Sequence, residues 1–167
     1  MLLDLSKLIE APGSSLDFET ALDLSELDFG GCRPAKQPVV ARGTVRNAAG
    51  VLLMDGEVRT RLFGVCARCA CDFERDAVFP LEAVLVTGLE SEQNEDDWVF
   101  LLENGCADLD DIVTTTFVLN MDTKLLCKPD CKGLCCRCGA NLNDGPCSCE
   151  PEADPRLAVL RRLLNDK

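Results

Sequence analysis

The run Cys135-Cys136-Arg137-Cys138-Gly139, followed by Cys147-Ser148-Cys149, concentrates more potential chemistry than any other stretch of the chain. Two thiols separated by two residues can curl around one ion, and a glycine after the second permits the left-handed backbone such a turn favours. Cys135 and Cys136 are adjacent and cannot easily both ligate, so Cys135 is taken with Cys138. Asn141-Leu142-Asn143-Asp144-Gly145-Pro146 is a short return that carries Cys147 and Cys149 back to complete a tetrahedral four-sulfur site. A second set is more dispersed. Cys66-Ala67-Arg68-Cys69 supplies one pair, and Cys127-Lys128-Pro129-Asp130-Cys131 supplies the nearest unused pair. Two alternatives stand beside that reading, a redox pair at Cys66 and Cys69 or buried thiols without a ligand. Cys32, Cys71, Cys106 and Cys136 fit neither set and read as small hydrophobes or free thiols.

The chain has twelve cysteines and no histidine. A typical structural zinc site here must therefore be all-sulfur, and neither Ser-His-Asp nor Cys-His nucleophilic catalysis is available. The first ten residues, MLLDLSKLIE, lack a basic start, a long apolar stretch and a small-residue cleavage site, so a cytoplasmic location is expected. Cytosolic thiols stay reduced, which favours metal over disulfides. The expected cofactor is one or two structural Zn2+ ions, held by Cys66, Cys69, Cys127 and Cys131 and by Cys135, Cys138, Cys147 and Cys149.

The formal charge is −12, and all of the excess lies in the middle of the chain. Between Asp76 and Asp122 there are twelve acidic residues and no Lys or Arg, which leaves 17 acids against 17 bases elsewhere. Two four-thiolate zinc sites, each with two net negative charges, would carry the total to about −16. Such a surface repels a phosphate backbone and attracts a basic partner. Glu92, Glu95, Asp96 and Asp97 are the candidate partner-binding residues; the plain alternative is a solvated acidic loop. Arg68, Lys128, Lys132 and Arg137 sit among the cysteines and form a weak basic patch.

The elements that must position these residues read as α+β. Ser15–Leu24, Val39–Val45, Val51–Phe63 and Asp72–Val86 have strand character, with Asn47-Ala48-Ala49-Gly50 as a hairpin connection and Gly30-Gly31, Pro34 and Pro38 marking a boundary. Successive hairpins predict an antiparallel sheet or small, partly open β-barrel in the N-terminal two-thirds. Residues 88–97 read as an acidic loop, after which Trp98–Leu102 returns to the core. Asp108 caps a predicted helix bearing Leu109, Ile112, Val113 and Phe117, and Asp154-Pro155 starts a second with Leu157, Leu160, Leu163 and Leu164. The division is thus 1–126, a β-rich core with an acidic loop and one helix, and 127–167, a cysteine-rich zinc segment with a C-terminal helix. No apolar run reaches the roughly 20 residues needed to span a bilayer, and no membrane partner is expected.

The segments 66–69, 126–135, 138–143 and 154–160 together resemble the YceD-like family of bacterial large-ribosomal-RNA-subunit accumulation proteins. The likeness runs from the Asp4-Leu5-Ser6 start to the Leu-rich end, with 126–143 the specific part. It departs at Cys136, where the family usually has proline. The resemblance implies a ribosome biogenesis role in accumulation or maturation of large-subunit ribosomal RNA, with no established enzymatic reaction. It also implies that the Cys66/Cys69 site is the shared one and the distal cluster an accessory stabiliser.

Three functional expectations follow. The first is a non-catalytic, zinc-stabilised binding module for a basic ribosomal protein of the large subunit or a pre-ribosomal particle. The second is a direct rRNA-binding zinc-ribbon protein working through Arg68, Lys128, Lys132 and Arg137, which the net charge disfavours. The third is an enzyme, either a thiol oxidoreductase at Cys66/Cys69 or a magnesium-dependent nuclease using Asp97, Asp108 and Asp111.

Overall fold

A computed structural model of the protein describes residues 1–88, 96 and 98–149. The chain enters on a short strand, β1 (Leu2–Asp4), and one helical turn, α1 (Ser6–Ile9). The strand-forming stretches then give β2 (Ser15–Leu22), β3 (Val39–Ala48), β4 (Val51–Val65) and β5 (Asp72–Val86), which pair in order as antiparallel neighbours. Strand β6 (Val99–Leu101) joins the far side of β5 in parallel, completing a five-stranded sheet. Strand β7 (Cys106–Asp108) pairs with β1 in a separate two-stranded sheet and leads directly into helix α2 (Leu109–Asn120). The architecture is α+β, and the sheet does not close into a barrel.

Side chains alternate across a strand, so one face of β4 and β5 is buried and the other carries charge. Leu52, Met54, Val58 and Leu62 of β4 join Leu81, Ala83 and Leu85 of β5 in the core, while Arg59, Arg61, Glu74 and Asp76 face out. Helix α2 covers the buried face with Leu109, Ile112, Val113 and Phe117. The Phe117 ring meets Phe79 edge to face, with centroids 5.8 Å apart. Asp108 caps this helix by accepting from the Asp110 N–H at 3.0 Å. Thr114, Thr115 and Thr116 weaken intrinsic helix propensity, and burial of the apolar stripe overrides them.

The β3–β4 connection places Ala49 and Gly50 at positive φ, the pattern of a tight two-residue hairpin. Asn47, 2% exposed, accepts from the Gly50 N–H at 2.8 Å and donates to the carbonyls of Leu8 and Ile9 at 2.8 and 3.1 Å. It thereby satisfies its own buried amide and ties α1 to the hairpin. Gly43 and Gly56 face each other in the β3–β4 ladder so closely that a Cβ on either would enter the opposing backbone.

The β4–β5 hairpin matters most for the cysteines. Its ladder runs unbroken from Leu52↔Leu85 to Val65↔Asp72, so its tip, residues 66–71, is held at a defined place at one end of the sheet. After α2, Met121 and Leu125 are buried and return the chain to that tip, where Ala67 N–H donates to the Leu125 carbonyl at 2.8 Å. The expected helix after Asp154 lies outside the described residues, as do Glu92, Glu95 and Asp97.

Candidate metal centres

At the hairpin tip the backbone folds over itself: Cys66 N–H donates to the Cys71 carbonyl and Ala70 N–H to the Cys66 carbonyl, each at 2.9 Å. This points Cys66 and Cys69 toward the returning segment, where a second turn, closed by Cys131 N–H to the Lys128 carbonyl at 3.2 Å, presents Cys127 and Cys131. The two halves are locked by Arg68, whose guanidinium donates to the Cys131 carbonyl at 2.9 Å and whose carbonyl accepts from Leu134 N–H at 3.1 Å. Gly133 is required there: its φ is +78°, and a Cβ would lie 3.0 Å from the Arg68 carbonyl oxygen.

The four sulfurs of Cys66, Cys69, Cys127 and Cys131 lie within 4.8 Å of one another. Cys66–Cys131 and Cys69–Cys127 are each separated by 3.7 Å. A tetrahedron with metal–sulfur bonds of about 2.3 Å has edges of about 3.8 Å, whereas a disulfide requires about 2.05 Å. The spacing therefore fits four thiolates around one ion. Cys66, Cys69 and Cys131 are buried to within 4% exposure and Cys127 is half-buried, so the set is closed rather than open to substrate.

A distal set, Cys135, Cys138, Cys147 and Cys149, also gathers its sulfurs within 4.8 Å. Its first turn is formed by Gly139 N–H to the Cys135 carbonyl at 2.9 Å and Cys135 N–H to the Ala140 carbonyl at 2.8 Å. Cys138 is exposed and the other three are half-buried. Cys136 points outward and takes no part. Both clusters could hold metal ions, and among the described residues no group of three or more carboxylates comes together in the same way.

Electrostatics within each cluster are divided. Burial pushes the Cys66 thiol up, but N–H donors from Cys127, Cys69 and Arg68 outweigh it and bring the group down to about 6. Burial likewise opposes ionisation of Cys131, and the Asn143 amide and the Gly133 N–H prevail and lower it. Cys69 is drawn down by the Cys71 N–H, yet burial and the neighbouring sulfurs carry it well above the ordinary thiol range. Burial, then Cys66 and Cys131, raise Cys127. In the distal set the N–H groups of Cys138 and Arg137 bring Cys135 down to about 6, while Cys149 is pushed up to about 12, chiefly by Cys138. A divalent ion would ionise all four.

Two residues not singled out as site residues from the sequence lie against the proximal site, Asn143 on a sulfur of the quartet and Asn141 on Cys71 of the hairpin tip beside it. Asn143 donates to Cys131 Sγ at 3.3 Å, and Asn141 donates to Cys71 Sγ at 3.6 Å. Their sequence signal is membership of the 138–143 stretch that carries the family resemblance, as a pair of amides flanking Leu142, with no contact assigned to either. Among the other sequence-derived candidates, Asp96 is exposed at the rim of a cavity of about 540 Å3 whose lining includes Asp55, Glu82 and Trp98. Asp108 is engaged as a helix cap and Asp111 is exposed on the first turn of α2. Lys128, Lys132 and Arg137 are exposed beside the cysteines.

The family model described as large ribosomal RNA subunit accumulation protein YceD matches residues 54–164, a span that contains all eight clustered cysteines. The chain belongs to the YceD family. A maize relative, the chloroplastic large ribosomal RNA subunit accumulation protein YCED homolog 1, is 30% identical over 83% of this chain and 57% of its own length. Uncharacterized proteins of Mycobacterium bovis and Mycobacterium tuberculosis are 28% identical over 72% of this chain and 59% of theirs. The chain thus spans under three-fifths of the length of these relatives. No solved structure matches it. Among the described residues, no helix is long and apolar enough to cross a membrane.

Proposed function

We propose that this YceD-family chain supports accumulation of large-subunit ribosomal RNA as a non-catalytic binding module, held together by structural zinc and directed at a basic ribosomal protein. The observation that carries the structural part is the proximal quartet, in which four thiols from two distant segments sit at tetrahedral spacing in a closed, largely buried pocket. An all-sulfur tetrahedral set favours zinc among common divalent ions, and a site without an open position is structural rather than catalytic. Cys66, Cys69, Cys127 and Cys131 would hold one ion, and Cys135, Cys138, Cys147 and Cys149 a second. Bound zinc supplies charge compensation and a cross-link.

Burial also argues against a thiol oxidoreductase, since Cys66 and Cys69 lack the exposure an attacking thiolate needs. The partner's chemistry is inferred from charge. Asp96, Asp55 and Glu82 rim a cavity that also offers the Trp98 ring, a setting suited to a Lys or Arg side chain. Glu92, Glu95 and Asp97 add acidity next to it in sequence. Arg68 is already bonded to the Cys131 carbonyl, which weakens the direct-RNA reading.

The test is binding of basic large-subunit ribosomal proteins, measured by calorimetry across salt concentrations, beside rRNA fragments in a mobility-shift assay. Reversing Glu92, Glu95, Asp96 and Asp97 to lysine should weaken protein binding about tenfold or more and flatten its salt dependence. Tight rRNA binding that survives these reversals and is lost on neutralising Lys128 and Lys132 would overturn the protein-partner reading.

A further inference from the structure

The loop that closes the distal quartet also reaches into the proximal one. Asn143 lies between Cys138 and Cys147 in sequence, yet its side-chain amide donates to Cys131 Sγ at 3.3 Å, twelve positions back. Its second donor contact is Asn141 Oδ1 at 2.7 Å, and its Oδ1 accepts the Lys132 N–H at 2.9 Å. Asn141 Oδ1 in turn accepts the Asn143 N–H at 3.1 Å, while Asn141 Nδ2 reaches Cys71 Sγ at 3.6 Å on the β4–β5 hairpin tip. Leu142 N–H donates to the Gly133 carbonyl at 2.9 Å, so the loop backbone is seated on the turn that follows Cys131. The amide of Asn143 is engaged through both its nitrogen and its oxygen, which ties the loop to Lys132 and Cys131 at once.

We infer that Asn143 is a positioning residue that couples the two metal sites: metal at the distal quartet fixes the 139–146 loop, and the fixed loop holds an N–H donor on a sulfur of the proximal quartet. The inference rests on the reading that both quartets hold metal. A donor to a coordinated thiolate stabilises its charge and orients its lone pairs, and loss of such a partner ordinarily costs 10–100-fold in metal affinity. Filling the distal site should therefore tighten the proximal one, and linkage requires the reverse as well. Without metal in the distal quartet the loop keeps only its hydrogen bonds, and the donor is held less often in place.

The experiment is a cobalt(II) titration of the full chain under reducing conditions, with competing chelator to set the affinities and thiol-alkylation mapping to assign each ion to its quartet. Four chains are compared: wild type, Asn143→Ala, a chain lacking the distal site through Cys147→Ser and Cys149→Ser, and the triple variant. Loss of the distal site should weaken proximal binding about tenfold, Asn143→Ala should do the same, and the triple variant should add less than about twofold. Asn143→Asp, which keeps the acceptor for Lys132 but replaces the donor to sulfur with a carboxylate oxygen, should weaken proximal binding at least as much as the alanine variant. Because the lost donor had stabilised the sulfur lone pairs, both Asn143 variants should move the proximal sulfur-to-cobalt absorption to longer wavelength, a change that mere loosening of the loop would not produce. Proximal affinity unchanged by loss of the distal site, or effects of the two lesions that multiply, would overturn the coupling. A wild-type chain that takes up fewer than two ions would instead overturn the two-site reading beneath it.

Discussion

Replacing Cys131 with serine removes one corner of a quartet that joins segments 65 positions apart along the chain. The segments it joins are the tip of the longest hairpin and the stretch that follows α2, so the cross-link spans the sheet and the helix that covers it. Treated as a covalent closure, a loop of that length restricts the unfolded chain by roughly 4 kcal/mol. The distal quartet closes only Cys135 to Cys149, for which the same relation gives roughly 3 kcal/mol. Position separates the two further, since the distal loop encloses no part of the main core. For a chain of this size the proximal loss corresponds to a fall in Tm of about 8–16 °C. Cys147→Ser should lower the main transition by about 5 °C at most, the share transmitted through a weakened proximal site. Thermal unfolding followed by circular dichroism in zinc-containing, reducing buffer measures both, and chelation of the wild-type chain should reproduce the Cys131→Ser result. Equal shifts for the two variants, or none for Cys131→Ser, would refute the reasoning that the proximal quartet staples the fold.

In metal-stripped, reduced protein, Cys135 should be alkylated at pH 7 well before Cys149, because one titrates at about 6 and the other is pushed up to about 12. The sign follows from a folded value below the ordinary 9: the Cys135 thiolate contributes stability that is present above 9 and is lost as pH falls through about 6. Peptide mapping by mass spectrometry reads the order of modification, and added zinc should suppress it at both residues. Gly133→Ala places a Cβ at positive φ against the Arg68 carbonyl and should cost about 1–2 kcal/mol, seen as easier chelator removal of the proximal ion. Phe117→Ala removes a fully buried ring and its edge contact with Phe79, and urea unfolding should show a loss of about 3–5 kcal/mol.

Much of the scaffold was legible because its strands are long. Alternation over Val51–Val65 and Asp72–Val86 fixes which face is buried, and the Asp108 cap with its apolar stripe marks α2. Strands β1 and β7 were not legible, since three residues have no measurable periodicity and their pairing joins positions more than a hundred apart. The parallel docking of β6 was hidden because it too is only three residues long. Spacing alone could propose that Cys66 and Cys69 share a site with Cys127 and Cys131, but only the hairpin's length and the return after α2 explain why the four sulfurs meet. Asn141 and Asn143 lie in the stretch that carries the family resemblance, but spacing assigns them no contact; their role depends on where the loop lands, and that is a tertiary fact.

The most direct test of the account is the metal content of the intact chain by native mass spectrometry under reducing conditions, for wild type, Cys131→Ser and Cys147→Ser. Two zinc ions in wild type and one fewer in each variant are the predicted result. A wild-type chain that binds no zinc while its thiols remain reduced would contradict the claim that metal holds this module together.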